Sequence, residues 1–265
     1  MKKRLLVCDM DHTLLNESSH ISPENMAAIH RHVERGGLFT IATGRAPAAI
    51  RIFPELLPCI SLPVVTGNGG QVVDLAGGDK VLRSWTLLRE VQDLLPEVLE
   101  RFPGLGTVVY YGLDHLCALR INPYVEHLIE KEQRPAPLRT MADIPRIWNK
   151  VLMTQDHACL EEVRGWLGPR LSGLARTVFS EDTYLEILPL GVSKGAALST
   201  ILELEGIDPE EVVAIGDSPN DREMLELAGI GVAVANAAPE LKAVADAVVC
   251  SNQDHAVRAC LEQFF

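Results

Sequence analysis

The chain lacks an excess of positive charge: 24 Lys and Arg stand against 36 Asp and Glu, a formal net charge of −12 over 265 residues. Phosphate backbones and anionic membranes are bound by dense Lys and Arg, so nucleic acid and membrane surfaces are excluded as partners. It also lacks paired cysteines. Cys8, Cys59, Cys117, Cys159, Cys250 and Cys260 are scattered with no C-x-x-C, which excludes a disulfide framework or zinc site and points to reduced thiols in a cytoplasmic protein. No apolar run approaches the length of a membrane span. The basic start Met1-Lys2-Lys3-Arg4 is followed by too few apolar residues before Asp9 for a signal peptide. There is no internal repeat, low-complexity segment or charge run.

What is present is an ordinary globular composition, 47% hydrophobic and 23% charged, on a length that suits one large domain or a domain carrying an insertion. Arg4 to Asn16 holds the most informative stretch. Leu5-Leu6-Val7-Cys8 reads as a buried strand that delivers Asp9 and Asp11 at its C-terminal end. If the extended conformation persists, two carboxylates two residues apart face the same way and repel. A divalent cation relieves that repulsion, and an all-oxygen site of this kind suits Mg²⁺. Taken alone, Asp-x-Asp reads first as an acidic strand end solvated at a loop.

The rest of the chain predicts alternating strands and helices. Ser22-Pro23-Glu24 opens a helix that Gly36-Gly37 closes, and Leu38 to Ala42 forms the next strand of a βαβ unit. That strand ends at Thr43-Gly44-Arg45, common turn chemistry that can also present a hydroxyl and amides to an anion. Pro63 to Thr66 reads as a short strand before Gly67-Asn68-Gly69-Gly70, and Gln71–Asp74 with Val81–Trp85 as a hairpin. From Thr86 to Glu186 the pattern changes to a small α+β layer, with a helix over 87–101 and helices expected on one face of its sheet. Alternation then returns, with Lys194 at a helix start and Val212 to Ile215 as a strand running into Gly216-Asp217-Ser218-Pro219-Asn220-Asp221. The expected fold class is α/β: a Rossmann-like parallel-sheet core over 1–85 and 187–265, split by an inserted α+β cap over 86–186.

In an open parallel sheet, ligands bind at the carboxyl ends of the strands, so these distant polar segments can converge there. Together they resemble the haloacid dehalogenase-like superfamily, and within it the Cof-type phosphatases with a large α/β cap. Asp9-Met10-Asp11-His12-Thr13 matches the first motif, Thr43 the second, Lys194 the third, and Gly216 to Asp221 the fourth. The resemblance covers the whole chain but is architectural only within the cap. It implies a phosphatase that hydrolyses a small phosphorylated metabolite, such as a sugar phosphate, through an aspartyl-phosphate. It implies Asp9 as nucleophile and Asp11 as general acid and base. Mg²⁺ would be held by Asp9, the main-chain carbonyl of Asp11, and Asp217; Thr43, Lys194, Asn220 and the Met10 and Gly44 amides would contact the phosphoryl group. Asp221 would orient Lys194 or the metal's waters. His12 departs from the family, which has glycine there. A phosphomutase or phosphotransferase of the same superfamily is the alternative, with a receiver-like phosphate-signalling module as a remoter one. The expected assembly is a monomer or homodimer.

Overall fold

The structure, a computed structural model, describes residues 4–265; Lys2 and Lys3 of the basic start lie outside the described residues. Strand β1 (Leu5–Cys8) is wholly buried and pairs in parallel with β2 (Leu38–Ile41). The connecting helix, Pro23–Glu34, begins as its sequence dictates: Ser22 Oγ accepts the Asn25 amide at 3.2 Å, and Pro23 occupies the first turn, where it has no N–H to leave unpaired. A three-stranded antiparallel sheet follows, made of β3 (Val64–Thr66), β4 (Gln71–Asp74) and β5 (Lys80–Ser84). A parallel bridge between Ala42 and Val65 attaches it beyond the end of β2.

The next 100 residues build a separate antiparallel sheet from β6 (Gly106–Tyr111), β7 (His115–Arg120), β8 (Trp148–Thr154), β9 (Ala175–Glu181) and β10 (Tyr184–Pro189), in the order β7-β6-β8-β10-β9. The chain then returns with β11 (Val212–Gly216), β12 (Ile230–Ala233) and β13 (Ala247–Val248). They complete a parallel sheet in the order β13-β12-β11-β1-β2, with β1 and β11 adjacent at its centre.

Two sequence expectations are corrected. The helix over 87–101 is two short helices, Arg89–Gln92 and Leu95–Arg101, because Pro96 is accommodated only in a first turn. The helices do not all lie on one face of the antiparallel sheet. Those two and His157–Leu171 pack with Val109, Val151, Met153, Leu185 and Ile187, whereas Pro123–Glu132 packs on the opposite face with Val108, Tyr110, Leu152 and Tyr184. Strand side chains alternate faces, so these sets are the odd and even positions. Ala46 of the parallel-sheet layer joins the second cluster, so this face, with Lys131 and Glu132 at its helix end, meets the other layer.

Candidate active site

At the end of β1 the chain leaves the sheet and enters a tight turn, Met10–Leu14, in which His12 has φ 58°. Histidine tolerates this left-handed geometry better than most side chains, so the site folds without glycine. The turn separates the two carboxylates: Asp9 and Asp11 line the same cleft but engage different partners.

Asp9 Oδ1 accepts from Lys194 Nζ at 2.6 Å, and the same ammonium reaches Asp221 Oδ1 at 2.6 Å. Ser193 caps the helix that starts at Lys194, accepting the Ala196 amide at 3.1 Å and so fixing where the lysine emerges. Asp221 Oδ2 accepts the Asp217 and Ser218 amides at 2.9 and 3.1 Å. That fold-back explains Gly216, where an added Cβ would lie 2.5 Å from the Asp221 carboxyl carbon. Asp217 is held by Thr13 Oγ1 at 2.8 Å and Ser218 Oγ at 2.6 Å.

Burial works against the Lys194 ammonium, but Asp221 and Asp9 more than offset it and keep the lysine charged. Burial raises Asp9 well above the carboxylate range, partly opposed by Lys194. Burial and the neighbouring Asp221 push Asp217 up to about 6. Carboxylate oxygens of Asp9, Asp217 and Asp221 lie within 4.8 Å of one another. Three buried carboxylates around one lysine are short of positive charge, and an all-oxygen donor set of this size fits a hard divalent cation. The Asp11 side chain is not part of that cluster.

Asp11 instead faces Arg45, which donates to it through both Nε (3.0 Å) and Nη2 (2.8 Å), and Lys131 Nζ, 3.1 Å away. Burial alone would raise the Asp11 pKa; Lys131 and Arg45 overcome it and hold the carboxyl well below the usual range. Lys131 also pairs with Glu181, so one ammonium from the antiparallel layer ties Asp11 to β9.

The second conspicuous network crosses between the layers. Asn220 Nδ2 donates to Asn68 Oδ1 at 3.0 Å, and Asn68 Nδ2 to Glu186 Oε2 at 2.8 Å. Glu186 Oε1 accepts from Lys150 Nζ (3.0 Å) and Ser180 Oγ (2.9 Å), while Lys150 also donates to the Gly44 carbonyl at 2.9 Å.

The structure thus brings together Asp9, Asp11, Gly44, Lys194, Asp217, Asn220 and Asp221 at the carboxyl edge of the parallel sheet. Thr43 is fully buried beneath them, its hydroxyl accepting the Arg45 amide at 3.1 Å, and Met10 is buried in the turn. Sequence reasoning did not find Arg45, Lys131, Lys150 or Glu186. Arg45 alone had a signal, its place beside Thr43 and Gly44. The others sit at unremarkable positions of a helix and two strands.

The geometry agrees with three comparisons. A model of the haloacid dehalogenase-like hydrolases matches residues 6–261. Among curated proteins, the chain is 32% identical over 252 residues to an HMP-PP phosphatase of Citrobacter koseri, covering 90% of this chain and 86% of that one. It is 29% identical to the 5-amino-6-(5-phospho-D-ribitylamino)uracil phosphatase of Bacillus subtilis, covering 98% and 97%. An Arabidopsis thaliana protein named as a chloroplastic YBEY endoribonuclease is 30% identical, with 98% of this chain covered, and the chain spans 46% of that protein's length. The solved structure of a haloacid dehalogenase-like hydrolase from Bacteroides thetaiotaomicron superposes over the whole of both chains with a TM-score of 0.86 at 30% identity.

Proposed function

The chain belongs to the haloacid dehalogenase-like hydrolases and is a phosphoric monoester hydrolase of that family, and on this premise we propose that it is a Mg²⁺-dependent phosphatase of small phosphorylated metabolites working through an aspartyl-phosphate on Asp9. The observation that carries the reading is Lys194 Nζ at 2.6 Å from both Asp9 and Asp221, with Asp217 beside them, at the end of the central strand pair.

Asp9 and Asp217, with the main-chain carbonyl of Asp11, would hold the metal, which when bound supplies positive charge that offsets the carboxylates and the phosphate. Asp221 has one oxygen on Lys194 and the other on two amides, which suits it to orienting the lysine. Asp9 attacks phosphorus and displaces the alkoxide. Asp11 protonates that leaving group, then takes a proton from the water that hydrolyses the aspartyl-phosphate. Asp11 is charged while Arg45 and Lys131 grip it, so the incoming substrate must loosen those pairs before Asp11 carries a proton. Lys194, Asn220, Thr43 and the Met10 and Gly44 amides would meet the phosphoryl oxygens, where transition-state charge sits.

We assign residues 86–186 as a cap inserted between the core segments 1–85 and 187–265. The cavity between the layers is about 40 Å³, far below the roughly 300 Å³ of a small-ligand pocket, so the cap parts from the core to admit an ester. The two phosphatase relatives are named for small phosphorylated molecules, which supports a small-metabolite substrate.

The test is turnover of a panel of phosphorylated metabolites with and without Mg²⁺, comparing wild type with Asp9→Asn. Metal-dependent phosphate release that falls by about 10³-fold or more in the variant is expected, as for loss of a nucleophile. Undiminished release by Asp9→Asn would overturn the assignment, and an isomeric sugar phosphate as product in place of free phosphate would favour a mutase.

A further inference from the structure

We propose that Glu132 and Tyr184 form a subsite for the leaving group that reads hydroxyls, making phosphate esters of neutral polyols the favoured substrate class; this deepens, and rests on, the phosphatase reading. Glu132 is the last residue of the helix Pro123–Glu132, and Tyr184 is the first of β10, so they come from different elements of the cap. Both line the cleft that holds Asp9 and Asp11. They are 6% and 4% exposed.

Each carries an oxygen with nothing to bond. Glu132 Oε1 accepts from the Tyr110 hydroxyl at 3.2 Å, but Oε2 has no partner, and neither does the Tyr184 hydroxyl. Buried side-chain oxygens in native proteins are nearly always satisfied, so two orphans on one cleft wall mark a place that a ligand completes. The ligand chemistry follows from the pair. A carboxylate oxygen accepts only, and a phenol both donates and accepts. An alcohol hydroxyl answers both, donating to Glu132 and accepting from Tyr184.

The surrounding charges narrow the class. Arg45, Lys131 and Lys150 line the same cleft and disfavour a cationic leaving group, and Glu181 and Glu186 disfavour a second anion. A neutral chain with several hydroxyls remains. Lys131 lies 5.9 Å from the centre of the Tyr184 ring and pairs with Glu181, which places that wall of the subsite beside the Asp11 that protonates the departing alcohol.

The experiment compares kcat/KM for straight-chain polyol phosphates with alkyl phosphates of equal chain length, with para-nitrophenyl phosphate as a third substrate, all with Mg²⁺. Wild type is expected to prefer a polyol ester over its alkyl counterpart by about 10²-fold or more, because a site built to bond a hydroxyl rejects the analogue without one. Glu132→Gln and Tyr184→Phe, which keep size and packing, are each expected to cut that ratio about tenfold. Turnover of para-nitrophenyl phosphate with no polyol preference, or a ratio unmoved in both variants, overturns the subsite and leaves the phosphatase reading standing. No turnover of any of the three overturns both.

Discussion

At the scale of single residues, the site depends on which cation each carboxylate faces. Asp9 and Asp11 are two apart in sequence, yet Lys194 grips one, and Arg45 with Lys131 the other. Of these two carboxylates, removing Arg45 therefore takes a partner from Asp11 and leaves the Asp9–Lys194 bond in place. With its bidentate partner gone, the depressed Asp11 pKa rises, so the pH limb that reports this group moves upward. Arg45→Met is expected to show that shift together with about a 10²-fold fall in kcat/KM; a pH–rate profile superimposable on wild type would show that Asp11 does not act through this pair. His12 is a second case. A non-glycine residue at φ 58° carries strain of order 1 kcal/mol, so His12→Gly is expected to unfold at the same or a slightly higher denaturant concentration.

At the scale of elements, the parallel core was legible because its strands are short apolar runs that end in glycine or polar turns. Leu5–Cys8 and Val212–Gly216 were placed to within a residue, and so was the Ser22-Pro23 helix start. The four core motifs were equally legible, since each sits where a strand ends or a helix begins. The charged pair Lys150 and Glu186 on the other side of the cleft was not. Lys150 and Glu186 stand in runs that read as plain strands, and only the pairing of β8 with β10 and the even-numbered face turned toward the core bring them together. Both are almost wholly buried, and breaking such a pair from one side leaves an uncompensated charge. Lys150→Met is expected to destabilise the protein by about 3 kcal/mol, and the double change with Glu186→Gln by clearly less. Equal losses measured by chemical denaturation would mean that the pair is not coupled.

At the scale of the whole molecule, the acidic cluster links stability to metal and proton. Asp217 has a folded pKa of about 6, above its unfolded value, so its protonated form favours folding and that contribution is lost as pH rises through about 4 to 6. Asp9 shifts the same way. Metal-free protein is therefore expected to lose melting temperature across that window, apart from other titrations. A bound cation reverses the penalty and competes with protons, so added Mg²⁺ should raise the melting temperature more at about pH 7.5 than at about pH 5. An equal shift at both would place the ion away from these carboxylates. In a chain of net charge −12, Lys131, Arg45 and Lys150 give the cleft a local field that favours an anion, and a cation held as proposed would add to it.

Segments spread from residue 9 to residue 221 meet at Lys194, which joins Asp9 to Asp221, and the proposed mechanism makes Asp9 the group that attacks phosphorus. The most direct measurement is to quench the enzyme in acid during turnover, reduce with borohydride, and map the digest by mass spectrometry, since an aspartyl-phosphate is reduced to homoserine. Homoserine at position 9, and at no other aspartate, is the expected result. Homoserine at another aspartate, or none while phosphate is released at full rate, would contradict the account.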